Sequence, residues 1–314
     1  MKVIVTGVSG YIGGQIALQL KDAGHTVIGI DRENHQLPIT LDRFVRADFA
    51  SVEGLGPLMV DFPDAVIHCA GTSLVGPSMT DPAEYYNNNV VKTIAMLDII
   101  RSRRQQNIRF IFSSSAATYG RPVMTPCQEV DPADPISPYG ETKLAIERAL
   151  ASYHRAYNLD YVAFRYFNAC GADSRARHGQ KGGATHIIAR VLESVKNNTQ
   201  FVCNGNKFET PDGTCVRDYV HVEDIARAHV MALENTIPAG VYNLGTSVGH
   251  SNLEIVDGAE AVVGHSIPVV FGQARDGDPA VLTADASKFI QVAGWQPKYN
   301  LNNIISHAWA WYNR

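Results

Sequence analysis

The sequence predicts an α/β protein with a Rossmann-type, doubly wound parallel sheet and a smaller mixed α/β lobe. Short β-branched apolar runs alternate with longer helical patterns in the first half of the chain. A glycine-rich turn joins the first strand to the first helix, and after residue 168 the chain becomes rich in Gly, Asp and Asn. We therefore expect a first domain at 1–168 and a second at 169–314, from which some segments return to the first.

The predicted strands of the first domain are Lys2–Thr6, Thr26–Asp31, Phe44–Ala47, Ala65–Cys69, Ile108–Ser113 and Tyr161–Arg165. Its predicted helices lie near Tyr11–Ala23, Pro82–Arg103 and Pro138–Tyr157. In the second domain we expect helices near Thr185–Lys196 and Val222–Glu234 and a strand near Gly240–Leu244. Apolar residues recur at helical spacing in the helical segments, and turn residues separate the strands.

Composition restricts the classes of function. The chain has 314 residues, a formal net charge of -4 and 45% hydrophobic residues, which is typical of a globular protein and gives no sign of a nucleic-acid partner. Its five cysteines have no metal-ligand spacing, so we expect reduced thiols and no metal site. Neither a membrane-spanning run nor a signal peptide is apparent. We expect a cytoplasmic protein without a membrane partner.

The glycine-rich turn has the pattern GxxGxxG and opens a helix. Glycine lets the backbone turn tightly and approach a pyrophosphate, whose charge the helix N-terminus favours. The pattern therefore predicts dinucleotide contacts from Gly7, Gly10, Tyr11, Ile12 and Gly13.

The end of the second strand predicts which dinucleotide binds. Asp31 lies where a carboxylate accepts hydrogen bonds from the adenosine ribose and repels a 2′-phosphate, so NAD is favoured. Arg32 follows directly and would suit that phosphate, which leaves NADP as the alternative. Asp48 and Phe49, after the third strand, are candidates to bracket the adenine; a simple turn is the alternative.

A catalytic group is predicted at the start of the third helix. Tyr139 and Lys143 are four residues apart and share one helix face, so the ammonium group is expected to lower the pKa of the phenol. Tyr139 would then act as a base. Ser115 follows the carboxyl end of a predicted strand, and ligands of such folds bind at the carboxyl ends of the strands. We expect Ser115 to assist proton transfer from an alcohol whose hydride passes to nicotinamide.

Seven motifs occur in one order along the whole chain. They are GxxGYIG at 7–13, SSSAATYG at 113–120, YxxxK at 139–143, RYFN at 165–168, PDGTCVRDYVH at 211–221, YNLG at 242–245 and GDPA at 277–280. Together they resemble the UDP-glucose 4-epimerase family of extended short-chain dehydrogenases. The resemblance implies an NAD-dependent enzyme that oxidises carbon 4 of a UDP-sugar, turns the 4-keto sugar over and reduces its other face.

The first domain is expected to bind NAD, and the second mainly the nucleotide-sugar substrate. The resemblance also implies a role for individual residues. Lys143 would hold the nicotinamide ribose as well as tune Tyr139. The further cofactor contacts that it implies are Ala70, Asn89, Ser113 and Tyr166. The implied substrate contacts, besides Ser115 and Tyr139, are Asn168, His186, Phe208, Arg217, Arg275, Asp278 and Leu282. Arg217 and Arg275 would bind the diphosphate, and Asp278 would contact a ribose. Leu282 would act as the gate that excludes N-acetyl groups.

The chain also departs from the family pattern. Ser73 replaces a lysine expected to contact the pyrophosphate, and Asn204 replaces an aromatic residue beside Gly205, so we expect Phe208 or Phe201 to hold the uracil instead. Leu282 has intermediate bulk, which predicts activity on UDP-galactose and UDP-glucose with weak tolerance of N-acetylated sugars.

Two alternatives stay open. Another nucleotide-sugar epimerase, dehydratase or decarboxylase has the same fold, although Ala116 and Ala117 replace the acid and base that elimination needs. A non-catalytic dinucleotide-binding regulator is the alternative from another class. The family resemblance further implies a homodimer through the helices near Pro82–Arg103 and Glu141–Tyr157.

Overall fold

The structure is a computed structural model that describes residues 1–60, 62–102, 108–180, 185–274 and 278–314. Contacts divide the chain into two compact units. The first unit consists of Met1–Gly120, Pro132–Arg165 and Ala226–Tyr242, and the second of Arg121–Asp131, Tyr166–Ile225 and Asn243–Arg314. The first unit is thus completed by residues that follow much of the second. The cofactor and substrate roles expected of the two units stay predictions.

A seven-stranded sheet has the order β10-β6-β5-β4-β1-β2-β3. Its strands are β1 (Lys2–Thr6), β2 (Thr26–Asp31), β3 (Arg43–Arg46), β4 (Ala65–His68), β5 (Arg109–Ser115), β6 (Asp160–Tyr166) and β10 (Gly240–Leu244). The pairs β1–β2, β1–β4, β2–β3 and β4–β5 are parallel, and β4 is buried along its whole length. Continuous apolar strands are typical of parallel sheets that are covered on both faces. The predicted fold class is confirmed.

Helices accompany this sheet. They are α1 (Tyr11–Asp22), α2 (Val52–Val60), α3 (Val75–Ser78), α4 (Pro82–Tyr85), α5 (Lys92–Ser102), α6 (Pro138–Tyr157) and α8 (Val222–Glu234). One core cluster joins strand residues such as Ile4 and Phe110 with Leu55 of α2, Leu97 of α5 and Ile146 of α6. Long α6, which carries the predicted base, is therefore held against the sheet by apolar packing.

The second unit has smaller sheets. Its strands are β7 (Asn168–Cys170), β8 (Phe201–Asn204), β9 (Val216–His221), β11 (Gly249–Ser251), β12 (Val269–Gly272) and β13 (Val281–Leu282). Strand β9 is central and pairs with β7, β11 and β13, whereas β8 pairs with β12. The helices α7 (Ile187–Lys196), α9 (Asn252–Val263) and α11 (Leu301–Tyr312) pack around one apolar cluster, and α10 is Ser287–Ala293.

Most predicted elements occur with shifts of one or two residues, and β1, β2, β10, α6 and α8 have the predicted bounds. One prediction was wrong in form: the helix expected near Pro82–Arg103 is interrupted by a π-helical turn, Tyr86–Val91, and its last predicted residue lies outside the described residues. None of the helices in the described ranges combines the length and the apolar character needed to cross a membrane.

Candidate active site

The glycine-rich loop connects β1 to α1 by a turn that leaves no room for a side chain at two of its positions, Gly7 and Gly13. Gly7 has a φ of +71°, and a Cβ on it would lie 2.7 Å from the Ala70 backbone nitrogen, so the ends of β1 and β4 approach closely. A Cβ on Gly13 would lie 2.2 Å from the Gly7 carbonyl oxygen. The loop is therefore a bare backbone cradle in front of a helix N-terminus, which fits a dinucleotide pyrophosphate.

Asp31 closes this cradle at the end of β2. Its carboxylate accepts hydrogen bonds from the backbone nitrogens of Ser9, at 3.0 Å, and Glu33, at 3.1 Å. The Arg32 side chain is exposed. A fixed carboxylate in this position suits a ribose diol; the preference for NAD over NADP at Arg32 stays a prediction.

The two candidates for the adenine site have partners of their own. The Asp48 carboxylate forms an ion pair of 2.7 Å with Lys92, and the Phe49 ring is buried beside the His68 ring. An adenine contact from the Phe49 ring would need that ring to leave the core, so its backbone is the part of Phe49 that suits the role.

The π-helical turn places Asn89 between two segments of the site. Asn89 Oδ1 accepts from the Thr72 backbone nitrogen at 2.7 Å, and Nδ2 donates to Thr142 Oγ1 at 3.1 Å. Thr142 in turn donates to the Tyr139 carbonyl at 2.7 Å. Asn89 is buried inside the turn, and its hydrogen bonds to Thr72 and Thr142 go to other segments of the chain. Asn89 thus joins the segment after β4 to the first turn of α6. A π-helical turn is frequent at functional sites.

Ser115 and Tyr139 lie where β5 ends and α6 begins. Ser115 is the last residue of β5, and its Oγ accepts from the Ala117 backbone nitrogen at 3.1 Å at the head of a 3₁₀ turn. A Cβ on Gly140 would lie 2.5 Å from the Ala117 carbonyl oxygen, so only glycine allows α6 to approach that turn. This close approach brings the Tyr139 phenol within reach of Ser115, whose hydrogen bond acts on the phenol's pKa.

Lys143 is buried one turn further along α6. Its Nζ donates to the Ser113 carbonyl at 2.8 Å and lies 5.0 Å from the centroid of the Phe112 ring and 5.7 Å from that of Tyr139. Burial lowers the pKa of Lys143 to about 8, against the opposing effect of Cys69 and then of Glu147. The ammonium form still predominates at neutral pH.

Lys143 was expected to lower the pKa of the Tyr139 phenol, but other groups have the largest effects on that pKa in this structure. Burial raises the pKa of the Tyr139 phenol, the Ser115 hydrogen bond lowers it, and Tyr85 raises it. The phenol therefore keeps its proton at neutral pH when the protein's own groups act alone. Ser115, more than Lys143, is the residue of the chain that favours the phenolate here.

A buried charged cluster that was not predicted from the sequence lies behind these residues. Glu147 accepts two hydrogen bonds from Arg165, at 3.0 and 2.7 Å, and one of 2.5 Å from Ser114 Oγ. The Arg165 guanidinium also lies 4.6 Å from the centroid of the Tyr119 ring. The available signal was the position of Glu147, four residues after Lys143, because such residues share a helix face.

In the second unit, three predicted substrate residues lie together: Arg217 and Leu282 are on neighbouring strands, and Asp278 lies in the segment before β13. Leu282 of β13 pairs in register with Arg217 of β9 and is half-buried. An Arg217 nitrogen lies 3.7 Å from the Asp278 carboxylate and another donates to the Val216 carbonyl at 2.8 Å. Arg217 is thus a positioned cation beside the predicted gate, as a diphosphate site requires.

Asn168 is hydrogen-bonded to β9, the strand that carries Arg217. Its Nδ2 donates to the Asp218 carbonyl at 2.9 Å, while the buried Asp218 carboxylate accepts from Thr246, Ser247 and Ala284. Tyr166 is buried at the end of β6, and His186 is exposed before α7. No contact among the described residues of the second unit joins His186 to the Arg217 group, so the role of His186 stays a prediction. Arg275 lies outside the described residues.

The structure separates the two aromatic candidates for the uracil. The Phe201 side chain is buried in the apolar core, with 2% of its surface exposed. Phe208 is half-buried, and its ring covers Gly205, where a Cβ would lie 2.6 Å from it. Asn204 is half-buried at the end of β8, directly before that glycine. Phe208 therefore keeps an accessible face, and Phe201 does not.

Comparison with known proteins identifies the family. Residues 3–245 match the model of the NAD dependent epimerase/dehydratase family. The chain belongs to this family. A UDP-glucose 4-epimerase of Halalkalibacterium halodurans is 40% identical to this epimerase/dehydratase family member over 99% of the chain and 96% of the relative. The resemblance predicted from the motifs is thereby confirmed.

Two solved structures of that enzyme are similar to the whole fold. A UDP-glucose 4-epimerase from Brucella ovis in complex with NAD has a TM-score of 0.92 at 42% identity, covering 98% of this chain and 97% of that one. The one from Stenotrophomonas maltophila, with bound NAD and formylated UDP-arabinopyranose, has a TM-score of 0.94 at 33% identity, covering 100% and 98%.

Proposed function

We propose that this protein is an NAD-dependent UDP-glucose 4-epimerase, which interconverts UDP-galactose and UDP-glucose. The observation that carries the proposal is the meeting of Ser115, Tyr139 and Lys143 at the end of β5, in a chain whose relatives over nearly its full length have that activity. An alcohol oxidation and its reversal need such a proton relay beside a dinucleotide cradle.

The residues of the chain supply the proton chemistry. Tyr139 exchanges a proton with the 4-hydroxyl of the sugar, and Ser115 supports the phenolate by its hydrogen bond. Lys143, whose Nζ is fixed on the Ser113 carbonyl, keeps a positive charge next to the phenol ring. Because burial raises the pKa of Tyr139, additional positive charge in the site would favour loss of its proton.

The first unit fits the cofactor. Gly7 and Gly13 leave the bare backbone that a pyrophosphate needs, and Asp31 offers the carboxylate for the adenosine ribose. When bound, NAD supplies the acceptor and donor of hydride and the positive charge of its nicotinamide. We assign Asn89 a positioning role, because it ties Thr72 to the helix of Tyr139.

The substrate residues are assigned to the second unit. Arg217, held near Asp278, suits the diphosphate, and the half-buried Phe208 suits the uracil. Leu282 beside Arg217 is the proposed gate for N-acetyl groups. A nucleotide-sugar dehydratase is disfavoured because Ala116 and Ala117, in the turn after Ser115, cannot carry a proton.

The test is conversion of UDP-galactose to UDP-glucose by purified protein, resolved by chromatography, with and without added NAD. We expect turnover with catalytic NAD and its loss, by about a thousandfold or more, in a Tyr139→Phe variant that still binds NAD. If the wild type binds NAD but forms no UDP-glucose, the substrate assignment is wrong. Equal rates in both proteins would remove Tyr139 from the mechanism.

We also propose a cytoplasmic homodimer. The absence of disulfides among the five cysteines, all of which lie in the described ranges, supports a reducing compartment. Tyr86, Val91 and Tyr157 expose 44%, 60% and 48% of their surface on the helical segments expected to pair, which supports association there. Sedimentation velocity of the purified protein gives the oligomeric state.

A further inference from the structure

Three side chains of α6, spaced by four residues, contact the carboxyl end of β5. Tyr139 reaches Ser115, Lys143 Nζ donates to the Ser113 carbonyl, and Glu147 accepts from Ser114 Oγ. Residues four apart on a helix share a face. Consecutive turns of α6 therefore contact three consecutive residues of β5, and the contact of Glu147 lies one turn behind that of Lys143.

The contact through Glu147 is more rigid than a serine hydrogen bond alone. Glu147 and Arg165 are each only 4% exposed, and two hydrogen bonds of 3.0 and 2.7 Å join them. Arg165 belongs to β6, which is the sheet neighbour of β5. A bidentate carboxylate–guanidinium pair fixes both distance and orientation. Glu147 thus ties α6 to two adjacent strands at the position where the catalytic residues begin.

We propose that Glu147 is a positioning residue of the epimerase reaction: held by Arg165, it sets the place of β5 through Ser114 and keeps a negative charge behind Lys143. This inference rests on the proposed function. Catalytic groups need placement within about 0.5 Å, which requires a supporting set of hydrogen bonds behind them. Glu147 touches neither substrate nor cofactor in this assignment and acts only through its neighbours.

The charge of Glu147 acts on Lys143 from its own helix. The other titratable groups that face Lys143 are Tyr139 on α6 and, at the end of β4, Cys69 and His68. His68 is neutral at physiological pH because burial lowers its pKa to about 3. Glu147 raises the pKa of Lys143, against burial. Removing its charge should therefore lower the Lys143 pKa below about 8.

The experiment compares Glu147→Gln with Glu141→Gln in the full-length protein. Glu141 is exposed on the same helix and makes the matched control. Two quantities are measured: the pH profile of kcat and KM with UDP-galactose, and the titration midpoint of Lys143 by NMR of lysines labelled with ¹³C at Cε, assigned through Lys143→Met. For Glu147→Gln we expect kcat to fall roughly 10- to 100-fold at nearly constant KM, with a lower Lys143 midpoint. For the control we expect neither.

A purely structural role would lower the melting temperature alone; unchanged kcat and midpoint in the folded variant would therefore overturn the proposal. Should Glu147→Gln not fold, Ser114→Ala keeps the ion pair and removes one contact. It should lower kcat at constant KM and leave the midpoint in place, and an unchanged kcat would again overturn the positioning role. A wild type without activity would refute the proposed function, whereas the Lys143 midpoint would still decide whether Glu147 acts on it.

Discussion

Replacing Gly13 by alanine places a methyl group inside the dinucleotide cradle. The added Cβ would lie 2.2 Å from the Gly7 carbonyl oxygen, where ordinary contacts begin at 3.4 Å. The start of α1 must therefore withdraw by roughly 1 Å, since both atoms belong to the backbone or are fixed to it. Such overpacking costs about 1–3 kcal/mol of folding stability. We expect NAD affinity to fall by about 10- to 100-fold, which is about 1.4–2.8 kcal/mol.

Two further glycines make a graded control for Gly13→Ala. A Cβ on Gly10 would lie 3.2 Å from the same carbonyl oxygen, and one on Gly76, in α3, would have no atom within 4 Å. Isothermal titration with NAD should therefore give the order wild type and Gly76→Ala, then Gly10→Ala, then Gly13→Ala. Denaturation curves check that each variant is folded. Equal NAD affinity in all four proteins would refute the steric reasoning.

The remaining predictions concern Lys143 and Leu282. The pKa of Lys143 is about 8 in the folded protein, below its ordinary value of 10.5. Between these two pH values the unfolded chain therefore keeps a proton on Lys143 that the folded protein has lost. The stability of wild type relative to Lys143→Met should rise by about 3 kcal/mol across that range in urea denaturation; a pH-independent difference would contradict the burial effect. Leu282→Tyr should reduce turnover of N-acetylated UDP-sugars by about tenfold or more, and an unchanged rate would place the gate elsewhere.

The elements that sequence signals predict well are those whose ends are chemically marked. Helix α6 begins after Ser137, whose side chain accepts from the Gly140 nitrogen, and ends at left-handed Asn158. Helix α2 was missed because Gly54 and Pro57 argue against a helix, yet its apolar residues are buried in the main core. Tertiary packing there outweighs local propensity. The π turn was missed because its apolar pattern continues that of α5.

The proximity of the candidate catalytic residues could be predicted because YxxxK is a local pattern. Tyr139 and Lys143 need only a helix to share one face. The partner of Glu147, in contrast, is Arg165, which comes from β6 and is found only when the sheet order is known. The pKa of Tyr139 also depends on the whole fold, because burial is the largest effect on it in this structure and raises it, whereas the Ser115 hydrogen bond lowers it. Local patterns identify reacting groups, and long-range packing sets their energetics.

The return of residues 226–242 to the first unit has a consequence for synthesis of the chain. Strand β10 is the neighbour of β6 in the sheet, yet about 70 residues separate the two strands. At roughly 5–20 residues per second, a ribosome needs about 4–15 s to supply them. During that interval β6 has an open hydrogen-bonding edge on an apolar sheet, which favours aggregation. A stable fragment of the first unit must therefore include Ala226–Tyr242, and a cut at residue 168 leaves the sheet unfinished.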